Sequence, residues 1–294
     1  MPARRAIILC GLKSIIYVIG AGRSGTTLLD IVLGNGSKVE SCGELNRIPT
    51  LNGKPHNREA TTEQYVFWTG ITNALDARYP LHEQNHLHHQ YEYHTGLLKT
   101  FLGINSNKGK ATYYAYLNAL YASTFQKVPN PVIVDSSKYP GRALHLHYAL
   151  KEVNIKYIYL VRDPNAVVRS FEKKDLEQPA KHWLAANAYY FVVNMLCRLV
   201  MRRVRKHHAT IQIRYEDLAN QPIDTLQKIE RALDIDLSAV RHKIQNDEPL
   251  AVGNLFDGNR IRLKSTLQLK RSDAKPQKNF KTRVTRLLNG ALYS

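Results

Sequence analysis

Two short stretches of this chain carry residues able to hold phosphate. The first is Ile15-Ile16-Tyr17-Val18-Ile19-Gly20-Ala21-Gly22-Arg23-Ser24-Gly25-Thr26-Thr27-Leu28-Leu29, an apolar strand running into a glycine-rich turn and then a helix start. Backbone N–H groups of such a turn, with the positive end of the helix that follows, cradle an anion. A triphosphate-binding loop needs Gly, four residues, Gly, then Lys and Ser or Thr, the Lys reaching the β- and γ-phosphates and the hydroxyl holding magnesium. Here Thr26 stands at the lysine position, and the only cation in the turn is Arg23, inside the loop. That placement suits a single terminal phosphate better than a triphosphate–magnesium complex.

The second stretch is Ile155-Lys156-Tyr157-Ile158-Tyr159-Leu160-Val161, a buried-strand pattern, followed by Arg162-Asp163-Pro164 and, further on, Ser170. Asp163 is suited to cap a helix, and Pro164 fits its first position, where a missing N–H costs nothing. Ser170 then lies about two turns on, at 3.6 residues per turn, on the same side as Asp163. One guanidinium and one hydroxyl converging at this strand end hold a second phosphate.

An Arg-Ser-Gly-Thr-Thr turn after a first strand, paired with a later Arg and Ser eight residues apart, resembles the sulfotransferases that use 3′-phosphoadenosine 5′-phosphosulfate (PAPS). The likeness continues through Val134-Asp135-Ser136-Ser137-Lys138-Tyr139-Pro140, through Ile213-Arg214-Tyr215-Glu216-Asp217-Leu218, and more weakly through Gly258-Asn259-Arg260-Ile261-Arg262. Ser41-Cys42-Gly43-Glu44-Leu45-Asn46-Arg47-Ile48-Pro49 is similar to the Cys-Gly-Glu segment of the tyrosylprotein sulfotransferases and related bacterial enzymes. The longer gap from Glu44 to the Asp-Ser-Ser-Lys segment, and the lack of an evident disulfide framework, depart from that branch.

The resemblance implies a P-loop NTPase-like sulfotransferase fold, a PAPS donor, the bisphosphate PAP as product, and no metal. It implies Glu44 as general base, with Lys138 and Arg23 on the sulfuryl oxygens. Gly22, Arg23, Ser24, Gly25, Thr26 and Thr27 would surround the 5′-phosphate, Arg162 and Ser170 the 3′-phosphate. Tyr215 would lie against the adenine, and Arg260 and Arg262 would close near the 3′-phosphate. Sulfuryl transfer is an in-line displacement, so positioning and preorganised charge do most of the work, as in phosphoryl transfer. The acceptor implied is a hydroxyl on a carbohydrate, a peptide tyrosine or a small metabolite.

The elements that must position these residues are legible in outline. At 294 residues, 44% hydrophobic and 22% charged, the chain can bury one substantial core, a single α/β domain over 1–294. Strands are expected near 15–20, 131–135, 155–161 and 210–214. Helices are expected near 25–34, 112–126, 141–151, 164–174, 180–206 and 222–233. Their alternation predicts a mostly parallel sheet flanked by helices, with ligands outside the carboxyl ends of its strands. Residues 50–130 are polar, aromatic and weakly periodic, with Trp68 and eight tyrosines, and read as an acceptor-binding insertion or as helical packing.

The formal charge of +18 is concentrated toward the end, where residues 260–294 hold ten Lys or Arg against one Asp. Such a basic segment attracts polyanions such as an anionic polysaccharide, a membrane or nucleic acid, though no nucleic-acid module accompanies it. His82, His86, His88, His89 and His94 crowd one segment, but without a third patterned ligand they read as a polar surface and not a metal site. Cys10, Cys42 and Cys197 are odd in number and widely spaced, which points to a reducing compartment. The short apolar run after Arg4 and Arg5 is too brief for a leader, and no segment reads as membrane-spanning, so a soluble, cytoplasmic, bacterial protein is expected. A triphosphate-dependent kinase of the same fold and a non-enzymatic polyanion binder are the rival classes.

Overall fold

The computed structural model describes residues 13–55, 62–104, 106–173, 180–269 and 279–293, apart from the side chain of His94. Cys10, the segment after Arg4 and Arg5, and the basic residues of 270–278 lie outside these ranges. Five strands form one parallel sheet: β1 (Ser14–Gly20), β2 (Val39–Ser41), β3 (Val132–Lys138), β4 (Asn154–Val161) and β5 (Thr210–Arg214), in spatial order β2-β3-β1-β4-β5. A short antiparallel ladder joins β6 (Leu250–Ala251) to β7 (Thr266–Leu267).

Every residue of β1 is buried, as expected of a central parallel strand covered on both faces. Its side chains alternate between two cores, with Ile15, Tyr17 and Ile19 in one and Ile16 and Val18 in the other. The Ile16 side is closed by α1 (Thr26–Gly34), α10 (Pro222–Leu233) and α11 (Ser238–Gln245), which contribute Leu29, Leu226 and Val240. The Tyr17 side carries α2 (Glu63–Asp76), α3 (Leu81–Tyr91), α4 (His94–Phe101), α5 (Asn107–Lys127) and α6 (Pro140–Ala149). Also present are α7 (Pro164–Glu172), α8 (Trp183–Val204), α9 (Tyr215–Asn220) and α12 (Phe280–Tyr293). One helix, α8, is long and apolar enough to cross a membrane by length and composition, and its buried face packs on β1, β4, α6, α7 and α12.

The four strands expected from apolar runs are present within three residues, and β2 is an addition at the sheet edge. Residues 50–130, read as weakly periodic, fold largely into α2 to α5. Their aromatic side chains drive this: Trp68, Tyr91, Tyr113, Tyr116 and Tyr121 are all almost fully buried. The aromatic content of this segment therefore fills the core.

One irregularity in the sheet bears on chemistry. Along β1 and β3 the partners run Ser14 to Val132, up to Tyr17 with Asp135, and then skip, so that Ile19 lies opposite Lys138. The extra residue re-aims the end of β3, as bulges do, and Lys138 takes φ 61°, in the left-handed region.

Candidate active site

The carboxyl ends of β1 and β3 open on a cleft of about 170 Å³. Its walls include Gly22, Arg23, Gly25, Thr26, Thr27, Glu44, Arg47, Lys138, Tyr139, Asp257, Gly258, Asn259 and Arg260. Eight of the residues singled out in the sequence thus share one cavity. Lining cations are Arg23, Arg47, Lys138 and Arg260, against the carboxylates of Glu44 and Asp257. The surplus is positive, a balance that attracts anions.

The turn after β1 is built to keep its donors open. Gly25 occupies the cap position of α1 with φ 95° and offers no side-chain cap, so no side chain of the cap covers the helix's first N–H groups. Glycine is also required sterically, because a Cβ there would come 2.3 Å from the Tyr215 ring. Arg23 adopts φ 68°, and its carbonyl accepts a 3.0 Å hydrogen bond from Arg162. Ser24 is buried, and among the described residues its hydroxyl has no hydrogen-bond partner. Thr27 Oγ1 accepts from Asn259 N–H at 3.0 Å, which leaves its own hydrogen free to donate and straps the 256–262 segment to α1.

Glu44 and Lys138, 94 residues apart, meet as a hydrogen-bonded ion pair, with side chains 9% and 18% exposed. Glu44 is held by its backbone from two sides. Its N–H donates to the Asp257 carbonyl at 3.1 Å, and the preceding Gly43 carbonyl accepts from Ser136 N–H at 2.9 Å. Gly43 itself needs φ 74°, and a Cβ on it would come 2.5 Å from the Asp257 carbonyl oxygen. Behind this loop, Asp30 on α1 accepts from Gly43 N–H at 2.9 Å. Burial pushes the Asp30 pKa up to about 8, against the lowering effect of neighbouring Ser136 and Ser41.

A buried charge cluster anchors the other side. Asp135 accepts from Ser137 N–H at 2.8 Å, and Ser137 Oγ accepts from Asn46 N–H at 3.0 Å, tying β3 to the loop after Glu44. Arg142 donates to Asp135 at 3.3 Å and to Glu92 at 2.7 Å. Glu92 also receives Tyr113 at 2.7 Å and lies 3.0 Å from His88 Nδ1. Burial alone would raise the Glu92 pKa, but Arg142, then His88 and Tyr113, outweigh it and hold it at about 2.

The second phosphate stretch forms as expected at its helix start. Asp163 caps α7, accepting from Asn165 N–H at 2.8 Å and Ala166 N–H at 3.1 Å, with Pro164 first in the helix. The Arg162 guanidinium stacks 4.1 Å from the centre of the Tyr215 ring, beside the glycine-rich turn. Ser170 is half-buried in the last turn of α7. Arg262 turns inward instead: it is 1% exposed, pairs with Asp257 at 3.2 Å and donates to the Gly258 carbonyl at 2.7 Å. Arg260 is the member of that pair on the cleft wall.

Sequence reasoning passed over three participants. Arg47 meets Asp257 at 3.0 Å across the cleft wall. Tyr189, on α8, accepts from Gly22 N–H at 3.0 Å. Asp257 ties both arginines, and its only signal was its position just before Gly258-Asn259-Arg260. The histidines disperse in role: His88 is buried on Glu92, while His89 stacks on Tyr93 at 4.7 Å between ring centres. Among the described residues, no three His, Cys, Asp or Glu side chains gather as a metal site.

Together, the parallel order, the uncapped glycine turn and the cation-rich cleft define an α/β protein of the P-loop-like class that presents an oxyanion cradle at its strand ends. The chain belongs to the sulfotransferase family, whose model matches residues 15–239. Among solved structures it is similar to a sulfotransferase domain from the curacin biosynthetic pathway, at 18% identity and TM-score 0.52, over 95% of this chain and 98% of that one. It also aligns with sulfotransferase STF9 from Mycobacterium avium, at 14% identity and TM-score 0.49, covering 83% and 69% of the two chains. For sulfotransferase STF1 from Mycobacterium tuberculosis the values are 16% and 0.42, over 82% and 72%. No curated protein matches the chain in sequence.

Proposed function

We propose that this sulfotransferase takes its sulfuryl group from PAPS and passes it to an acceptor hydroxyl on a carbohydrate, a peptide tyrosine or a small metabolite. The observation that carries the reading is the Glu44–Lys138 pair facing the uncapped turn of Gly22 to Thr27 in one cleft. The donor supplies an activated sulfuryl group on a phosphate. Ser24, with the Gly25, Thr26 and Thr27 N–H groups and the two threonine hydroxyls, would hold its 5′-phosphate. Arg162, with Ser170 and Arg260, would hold the 3′-phosphate, and Tyr215 would support the adenine. Arg262 serves by fixing the loop that carries Arg260.

Lys138 and Arg23 neutralise charge on the sulfuryl oxygens. Glu44 takes the proton from the acceptor hydroxyl as that oxygen bonds to sulfur, while the bond from sulfur to the 5′-phosphate oxygen breaks and its electron pair stays on the phosphate. The buried free thiols of Cys42 and Cys197 suit a reducing, cytoplasmic setting.

The test is thermal shift and affinity for adenosine 3′,5′-bisphosphate beside ADP and ATP–magnesium, since a ligand that binds the native state raises its melting temperature. Preference for the bisphosphate is expected. Equal or tighter binding of ATP–magnesium would overturn the reading in favour of a kinase.

A further inference from the structure

A second pocket, of about 240 Å³, adjoins the first and shares Gly22, Lys138 and Tyr139 with it. Its other walls come from Gly20, Pro140 at the start of α6, Phe171 on α7, Lys181 just before α8, and Tyr189 and Val193 on α8. Phe171 and Tyr189 meet edge to face, 5.1 Å apart and at 74°. On the cleft side, the Arg23 guanidinium lies 5.8 Å from the centre of the same Phe171 ring. None of these walls belongs to residues 50–130.

We propose that this pocket receives the acceptor, and that the acceptor is a single hydroxyl-bearing aromatic ring with an anionic substituent, recognised by Lys181. The proposal rests on the sulfuryl-transfer reading above and specifies its second substrate. Three features carry it. The volume holds one ring with a short substituent and falls below the range typical of larger ligands. The walls offer three aromatic faces and few polar side chains, so the many hydroxyls of a sugar would be left unpaired on burial, whereas an aryl ring would not.

Lys181 supplies the third feature. Its N–H is anchored on the Phe171 carbonyl at 2.8 Å, and its ammonium lies 5.8 Å from the centres of both the Phe171 and Tyr189 rings. Among the described residues no carboxylate pairs with it. Glu172, which follows Phe171, pairs instead with Lys281 at 3.4 Å. An anion on the ring thus has a cation at one end of the pocket, while the ring hydroxyl reaches past Lys138 toward Glu44 at the other. Proton and sulfuryl group then move as described for the general reaction.

The test compares 4-hydroxybenzoate with its neutral isostere 4-hydroxybenzamide, with methyl glucuronide and an acidic tyrosyl peptide as further arms, all with PAPS as donor. The benzoate is expected to show a kcat/KM about tenfold above the amide. Lys181→Ala should remove that preference by raising KM for the benzoate, and Lys181→Arg should restore it. Calorimetry on the bisphosphate-loaded protein should show the same order of binding. Equal rates for benzoate and amide, faster turnover of the glucuronide or the peptide, or no ring acceptor turned over by a protein that binds the bisphosphate would each overturn the proposal. Failure to bind the bisphosphate at all would instead overturn the donor reading.

Discussion

Two charged clusters lie within a few residues of each other in this molecule, and they are resolved in opposite ways. Around Arg142 the charges are closed: Arg142, Asp135 and Glu92 are 1%, 0% and 1% exposed, and each hydrogen bonds to another or to Tyr113 or Tyr121. Around Lys138 the cluster is open, with four cations and two carboxylates lining a cleft of about 170 Å³. A closed cluster stabilises the fold only while all its members are present, whereas an open one is completed by a ligand. The two are joined through Asp135 and Ser137, so the closed cluster sets the backbone on which the open one stands.

Removing a member of the closed cluster should have the largest effect. Arg142→Ala leaves two buried carboxylates without their cation and should cost about 3–5 kcal/mol of stability, read as a lower midpoint in urea. A loss below about 1 kcal/mol would show that the cluster is solvated rather than closed.

In the open cluster, the corresponding change should spare the fold and strike turnover. Glu44→Gln is expected to lower kcat by roughly 10²–10⁴ while bisphosphate affinity holds. Unchanged turnover would remove Glu44 from the base role. Arg162→Ala should weaken bisphosphate binding by about 10- to 100-fold, as expected for loss of a charge-assisted contact of about 1.5–3 kcal/mol, measured by calorimetry.

Titration acts with opposite sign on the closed cluster and on Asp30, the buried carboxyl behind the Glu44 loop. Glu92 has its pKa lowered to about 2 from 4.5, so its contribution is complete above pH 4.5 and is lost as pH falls toward 2. Asp30 has its pKa raised to about 8 from 3.8, so the unfolded chain ionises first and stability drains as pH rises from about 4 to 8. Each limb changes by up to about 1.4 kcal/mol per pH unit. Asp30→Asn should flatten the second limb and leave the acid limb in place, which stability curves at several pH values would reveal. The smallest effect is expected at Arg47, whose side chain is 39% exposed. Arg47→Ala should shift the unfolding free energy by no more than about 1 kcal/mol.

Much of the sheet was legible because its central strands are unbroken apolar runs, and the glycine turn because Gly20, Gly22 and Gly25 follow such a run directly and Gly25 supplies the left-handed backbone that few other residues adopt. What escaped has physical reasons. β2 is three residues long and includes Glu40 and Ser41, too short and polar to register as a strand. Helices α2 to α4 bury glutamine, histidine and tyrosine as well as leucine and isoleucine, so their buried faces do not stand out as apolar stripes. α12 lies in the basic tail, where charge masks the face that Thr285, Asn289 and Leu292 bury. In the site, composition cannot tell Arg260 from Arg262; a two-residue offset on a tight turn puts one on the cleft wall and the other in the interior.

The pairing of Glu44 with Lys138 also shapes how the cleft answers a charged visitor. The ammonium engages one carboxylate oxygen, and the other keeps lone pairs of its own. An anion beside Lys138 would compete with Glu44 for the same three donors, so this ion pair is the yielding joint of the cleft, whereas the one around Arg142 is sealed from any such rival.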